Sequence, residues 1–339
     1  MDDAIPRNLR DVVSKTANHS LANDTWSTYD TSFKMLKLCN EQLGEQFKLP
    51  LSKIATITFV GWMLDRGLAA ATISSYLAGI RQKQISLGLE TETLRTPFIN
   101  QIITGKKNQE AAQKIAGEGS ERLPITPATL LLIKKDLKLS NLSNQTQLLM
   151  WSACTLLFFG AFRGGEILAK REKTFDPQKT LLGQDISLKT LLIKGERILI
   201  LQVKLKSEKT NRSSQATIVD VYASNNNLCP VAAWKKWANM RNRDPLLPAF
   251  MVDAETALTC QSLNRYLADV NRKYFNIPGK TLSCHCFRAG MATLLAKIGY
   301  SDEEIQTTGR WSSRAFQDYI KLPRTARISM AREIAKLNL

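Results

Sequence analysis

Residues 309–319 read GRWSSRAFQDY; upstream of them, residues 284–288 read CHCFR and residues 156–168 read LLFFGAFRGGEIL. These three stretches hold Arg163, Glu166, His285, Arg288, Arg310, Trp311 and Tyr319. A phenol titrates near 10, so Tyr319 is a poor nucleophile unless cations flank its target and a base takes its proton. Arginine suits the first task because its planar fork bonds two non-bridging phosphate oxygens and keeps its charge. Arg163 and Arg288 together can hold the negative charge of a pentacovalent phosphorus, by the logic of an oxyanion hole. His285 can relay a proton or donate to the phosphate. Arg163 ends a strongly apolar run and therefore needs an anion or a route to solvent. Glu166 supplies an ion pair that satisfies Arg163 or orients it.

Outward from these stretches, residues 145–161 are apolar nearly all round, as a buried helix is. They follow Leu123-Pro124-Ile125-Thr126-Pro127, a threonine cap with proline at the first helical position. From Ile186 the apolar residues alternate on either side of a turn at Lys194-Gly195-Glu196, and ATIVDVYA adds a further strand. A small antiparallel sheet is expected. Helical spacing returns at Pro230–Met240 and over residues 262–274, 287–298, 302–308 and 313–319.

Nearer the N-terminus, Trp26, Tyr29, Phe33, Leu36 and Leu43 predict a helix over Asn23–Leu43. Ser52 opens a second (Ile54, Ile57, Val60, Leu64), Thr72 a third (Ile73, Leu77, Ile80, Leu87), and Thr96-Pro97 a short fourth. GKKNQEAAQKIAGEGSER, residues 105–122, is polar and charged like a solvated connection, although residues 110–116 hold good helix formers. The expected organisation is a helical domain over residues 1–105, a linker over 106–122, and a second domain over 123–339.

Lysine and arginine outnumber aspartate and glutamate 47 to 30 in 339 residues, for a net charge of +17. The excess is spread along the chain and favours a polyanionic partner. Six cysteines without a CxxC pair imply a reducing compartment. Cys284-His285-Cys286 invites a zinc reading, but His19 is the one other histidine and no second ligand cluster follows at zinc spacing, so no metal is expected. No apolar run is long enough to span a bilayer, and no signal-peptide core follows Asp2 and Asp3, so a soluble intracellular protein is expected.

The ordered set, an arginine in an F-R-x-x-E context, a later H-x-x-R, then G-R-W-S-S and a tyrosine just beyond, resembles the tyrosine recombinases. The GRWSS…YI wording is similar to recombinases of eukaryotic mobile elements of the DIRS, Ngaro and Crypton kinds. The resemblance covers essentially the whole chain. It implies a mainly α fold with a small antiparallel β-sheet: a SAM-like helical core-binding domain and an α+β catalytic domain that clamp double-stranded DNA. It assigns Arg163, His285, Arg288 and Tyr319 to catalysis, with Glu166 orienting.

The family's general acid is a lysine on a β-hairpin. Lys204, Lys206 and Lys209 compete for that place, and Lys209-Thr210 best matches the family's wording. The family's histidine-or-tryptophan position usually lies one residue farther from the tyrosine than Trp311 does. Counting back from Tyr319 selects Arg310; counting forward from Arg288 selects Trp311, which is the right residue type. Trp311 is preferred, with an indole N–H able to reach phosphate and a ring able to pack on the nucleophile's helix.

The resemblance further implies a 3′-phosphotyrosyl intermediate, no cofactor, a homotetramer acting on element ends and target DNA, and nuclear localisation. Arg81, Lys83, Lys106, Lys107, Lys204, Lys206 and Arg310 are candidate DNA contacts. The apolar residues Ile328, Met330, Ile334 and Leu337 suit a tail that docks on a neighbouring protomer or on its own domain. The competing readings are a catalytically idle DNA-binding regulator, a type IB topoisomerase, and a basic scaffold for acidic proteins.

Overall fold

The computed structural model describes residues 6, 9, 12–13, 15–16, 23–115, 121–193, 195–206, 216–224 and 226–320, without the side chains of residues 23, 24, 27, 28, 114, 115, 121, 193, 318 and 319. Lys209 and the apolar tail positions 328–337 lie outside the described residues. The chain divides into two compact units, Met1–Gly119 and Ser120–Leu339.

In the first unit, helices α1 (Asn23–Leu43), α2 (Lys53–Asp65), α3 (Ala70–Ser86) and α4 (Pro97–Ile115) surround a core that includes Leu36, Phe59, Met63, Ile73, Ile80 and Ile99. Ser52 caps α2 as expected, its hydroxyl accepting from the Ala55 amide at 3.1 Å. Three expectations are corrected. The third helix opens at Ala70, not Thr72, because the Glu110 carboxylate takes the Ala70 N–H at 2.8 Å and so caps the helix from a distance. Glu110 can do this because the fourth helix is long: Pro97–Ile115 spans 19 residues, and residues 106–115 belong to it rather than to a linker. Their helix-forming composition outweighs their polarity. Ile54 and Leu43, placed on the apolar faces by periodicity, are 77% and 44% exposed.

In the second unit, β1 (Glu121–Arg122) pairs in parallel with β5 (Lys280–Thr281). Helix α5 (Pro127–Leu139) carries the expected Thr126 cap and Pro127. Helix α6 (Asn144–Phe159) is buried at every position from Leu149 to Phe158, and forms the spine of the larger core. After Gly160 the short α7 (Gly164–Ile167) leads to a three-stranded antiparallel sheet, β2 (Ile186–Ile193), β3 (Glu196–Leu205) and β4 (Thr217–Tyr222), in that spatial order. Ile193 pairs with Glu196, which puts the first hairpin's turn where the sequence suggested it.

Four helices follow: α8 (Pro230–Met240), α9 (Cys260–Tyr274), α10 (Cys284–Lys297) and α11 (Asp302–Gly309). Helix α9 starts two residues before the expected 262, because Thr259 caps it in a reciprocal box with Ser262. Helix α10 starts at Cys284, so His285 lies in its first turn. The last described element, Arg314–Tyr319, is a 3-10 helix rather than an α-helix. No helix among the described residues is long and apolar enough to cross a membrane.

Candidate functional site

The end of α6 organises the site. Gly160 closes the helix, Ala161 turns into positive φ (45°), and Arg163 becomes the cap of α7. A helix C-terminus leaves carbonyl oxygens without intrahelical donors and carries partial negative charge. Here guanidinium groups meet those oxygens. Arg288, 1% exposed, donates from Nη1 to the Ala161 carbonyl at 2.6 Å and from Nη2 to the Gly309 carbonyl. Arg310 donates from Nη1 to the Gly160 carbonyl at 3.0 Å and lies over the Phe162 ring, 4.9 Å from its centroid.

Glu166 binds two of the arginines at once. Its Oε1 accepts from Arg163 Nη1 at 2.7 Å, and its Oε2 accepts from the Arg163 amide at 2.9 Å and from Arg310 Nη2 at 3.1 Å. The carboxylate is 4% exposed, while the Arg163 side chain keeps 22% of its surface. Three arginines from three separate segments thus converge on residues 160–166. Such a corner can hold a phosphodiester-like anion.

The GRWSS stretch supplies the opposite wall. Helix α11 ends with Arg310 in the left-handed region (φ 56°, ψ 43°), a conformation that costs a residue other than glycine about 1 kcal/mol. Trp311, 8% exposed, sits under the Arg288 guanidinium, 4.3 Å from ring centroid to Cζ, and against Phe316 at 5.8 Å. Its ring comes so close to α11 that a Cβ on Gly309 would lie 1.6 Å from Cζ3, so only glycine fits there. Trp311 therefore joins the Arg288 helix to the segment that ends at Tyr319. Between the two residues that compete for the histidine-or-tryptophan position, Arg310 enters the arginine cluster and Trp311 packs beneath it.

His285 is exposed on the first turn of α10, one turn before Arg288. Cys284 and Cys286 face the core instead. Cys284 packs beside Cys260, and a hydrogen bond from its thiol lowers the Cys260 pKa against the effect of burial.

On the sheet, Lys204 is exposed, whereas Lys206 is engaged: its ammonium lies 2.8 Å from Asp185 Oδ2 and donates to the Pro177 carbonyl at 2.8 Å. Arg81 and Lys83 lie on α3, Lys106 and Lys107 on α4; Lys83 and Lys107 are exposed, Arg81 and Lys106 half-buried. Sequence reasoning missed two features: the double use of Glu166 and the pinning of Lys206 by Asp185. Both join residues far apart in the chain and leave no local pattern.

Neither a family model nor a curated protein matches the chain. Solved structures do. The chain is similar to the integrase of transposon Tn1549 in complex with a circular intermediate DNA, with TM-score 0.57 and 13% identity over 95% of this chain and 98% of that one. It is similar to the XerH site-specific recombinase bound to its difH substrate, with TM-score 0.56 and 15% identity over 91% and 79%. A lambda integrase dimer bound to a core site aligns with TM-score 0.55 and 16% identity over 92% and 76%. The fold, mostly helical with a small three-stranded antiparallel sheet, is that of the tyrosine recombinases.

Proposed function

We propose that this chain is a site-specific DNA recombinase in which Tyr319 attacks a backbone phosphate. The observation that carries the reading is the convergence of Arg163, Arg288 and Arg310 on one corner, with the segment ending at Tyr319 tied to Arg288 through Trp311. Arg163 and Arg288 bind the non-bridging oxygens, and His285 adds a donor or relays a proton. The Tyr319 oxygen forms a bond to phosphorus while the bond to the 5′-oxygen breaks, giving a 3′-phosphotyrosine and a free 5′-hydroxyl. A hairpin lysine protonates that leaving oxygen. The Lys206 salt bridge leaves Lys209 and Lys204 as the better acids.

A 5′-hydroxyl from a partner duplex reverses the step. The phosphoester bond energy is kept in the phosphotyrosine, so the reaction needs neither ATP nor a divalent ion. Double-stranded DNA is the partner, and the Tn1549 integrase, XerH and lambda integrase structures are themselves DNA complexes. Arg81, Lys83, Lys106 and Lys107 contact phosphates from the first unit. The GRWSS…YI wording supports a recombinase of a DIRS-, Ngaro- or Crypton-type mobile element, acting as a tetramer in the nucleus on element ends and target DNA.

The test is a nicked suicide substrate bearing element-end DNA, incubated in EDTA with wild type, Tyr319→Phe and Arg163→Ala. A covalent protein–DNA band from wild type alone supports the reading. Binding by all three without a band from any favours a regulator that has lost catalysis. Relaxation of supercoiled DNA without a specific site favours a topoisomerase.

A further inference from the structure

We infer that Arg310 is a positioning residue that locks the Tyr319-bearing segment to the Arg163 corner by sharing the Glu166 carboxylate. Three observations carry this. First, Arg310 reaches across the site to the corner's backbone and carboxylate together, at Gly160 O (3.0 Å) and Glu166 Oε2 (3.1 Å). Second, the same carboxylate fixes Arg163 through both its amide and its guanidinium. A shift of Arg310 therefore passes to Arg163 through one rigid, buried group. Third, Arg310 occupies the left-handed C-cap position where glycine or asparagine is usual, while the neighbouring glycine is claimed by the Trp311 ring. A residue other than glycine in this conformation carries a backbone cost that the contacts of its side chain offset.

The side chain is 13% exposed, so most of its surface faces protein. Trp311 follows directly and packs on Phe316 of the 3-10 helix, so the tie reaches the element that ends at Tyr319. Fixing Arg310 thus holds the backbone of the segment that ends at Tyr319 against the Arg163 corner. Its role in cleavage rests on the reading proposed above; the tie itself does not.

The test uses the full chain with Arg310→Gly, Arg310→Lys, Glu166→Gln and the Arg310→Gly/Glu166→Gln double variant. Arg310→Gly keeps the left-handed conformation without strain and so preserves the fold while removing the tie. Amide hydrogen exchange is read first. Faster exchange confined to residues 160–166 and 311–317, with α8 unchanged, establishes the tie. Unchanged exchange there, or a rise across the whole unit, overturns it.

Single-turnover cleavage of nicked DNA at saturating protein is read second. Arg310→Gly is expected to slow it about 10- to 100-fold, the order that a misplacement of about 1 Å costs. Arg310→Lys, whose single ammonium replaces the fork, should fall between. In the Glu166→Gln background the Arg310→Gly effect should shrink to under about 3-fold, because residues acting through one partner are not additive. Full additivity overturns the route through Glu166. A loss of affinity with a shallower salt slope, and an unchanged rate at saturation, would make Arg310 a phosphate contact instead. If wild type itself forms no covalent complex, the assignment of Tyr319 fails, and hydrogen exchange still decides the tie.

Discussion

Replacing Arg288 by methionine should unfold the second unit more easily, because this arginine serves as structure before it meets any ligand. The side chain is 1% exposed and bonds the Ala161 and Gly309 carbonyls. Methionine keeps the aliphatic stem but strands both oxygens, at about 1–3 kcal/mol each. It also removes the cation from the Trp311 ring, about 2 kcal/mol in a desolvated setting. Against this gross loss of about 4–8 kcal/mol stands the desolvation of a buried guanidinium, several kcal/mol, which methionine avoids. The net loss is about 2–4 kcal/mol, or roughly 6–12 °C in melting temperature for a unit of this size. Circular dichroism melts of wild type and Arg288→Met check it. A variant melting within about 2 °C of wild type would mean that Arg288 does not cap α6, and the account of the corner would be wrong.

Other perturbations probe the same unit. A Cβ on Gly290 would lie 1.8 Å from the Ile125 carbonyl oxygen, so Gly290→Ala should cost about 2–3 kcal/mol in urea denaturation, although alanine is the better helix former. Asp136 is buried, which by itself raises its pKa, but hydrogen bonds from Lys273, Tyr274 and Tyr266 outweigh this and hold it below the usual carboxylate range. Its stabilising contribution is therefore present at neutral pH and is lost as pH falls from about 4 through the lower folded value. The unfolding free energy of Asp136→Asn, from urea denaturation, should trail wild type by about 1–3 kcal/mol at pH 7, and the gap should close in acid. Lys206→Ala should destabilise by about 2–3 kcal/mol, by leaving the buried Asp185 carboxylate without its cation. Its cleavage rate per folded molecule should match wild type, whereas Lys209→Ala should lose rate without losing stability; equal loss of rate in both would return Lys206 to the candidate acids.

What the sequence disclosed was what local chemistry writes. Ser52, Thr126-Pro127 and the turn at Gly195 mark boundaries because caps and turns act within a few residues. The uninterrupted apolar run of α6 announced its burial, and with it the need for Arg163 to find an anion. Contacts between distant segments were not legible. The Glu110 cap on α3 joins residues 40 apart in the chain, and the Lys206–Asp185 salt bridge joins a hairpin lysine to the segment before the sheet. Arg310 and Trp311 could be argued either way by counting, because a count does not say which side chain turns inward. In three dimensions the left-handed residue after Gly309 sends the guanidinium to Glu166 and the indole beneath Arg288, so both side chains turn inward.

The charge balance of the corner follows from this geometry. Arg163, Arg288 and Arg310 bring three guanidiniums, and Glu166 returns one negative charge, which leaves two positive charges around residues 160–166. On the proposed reaction, a phosphodiester enters with one negative charge and its pentacovalent transition state carries two. The site thus matches the transition state better than the ground state, which is what accelerates a chemical step. Helix-end carbonyls and one shared carboxylate already fix the guanidiniums, and groups fixed before reaction cost no reorganisation during it, but Arg288, 1% exposed, has to be uncovered before a phosphate oxygen reaches it. Glu166 therefore has two effects that a single substitution cannot separate. It neutralises one charge and it positions two. Glutamine at this position would raise the net charge while loosening the guanidiniums. A clamp that depends on total charge would gain DNA affinity and keep its rate, whereas one that depends on placement would bind at least as well and cleave more slowly. The buried, doubly engaged carboxylate predicts the second pattern.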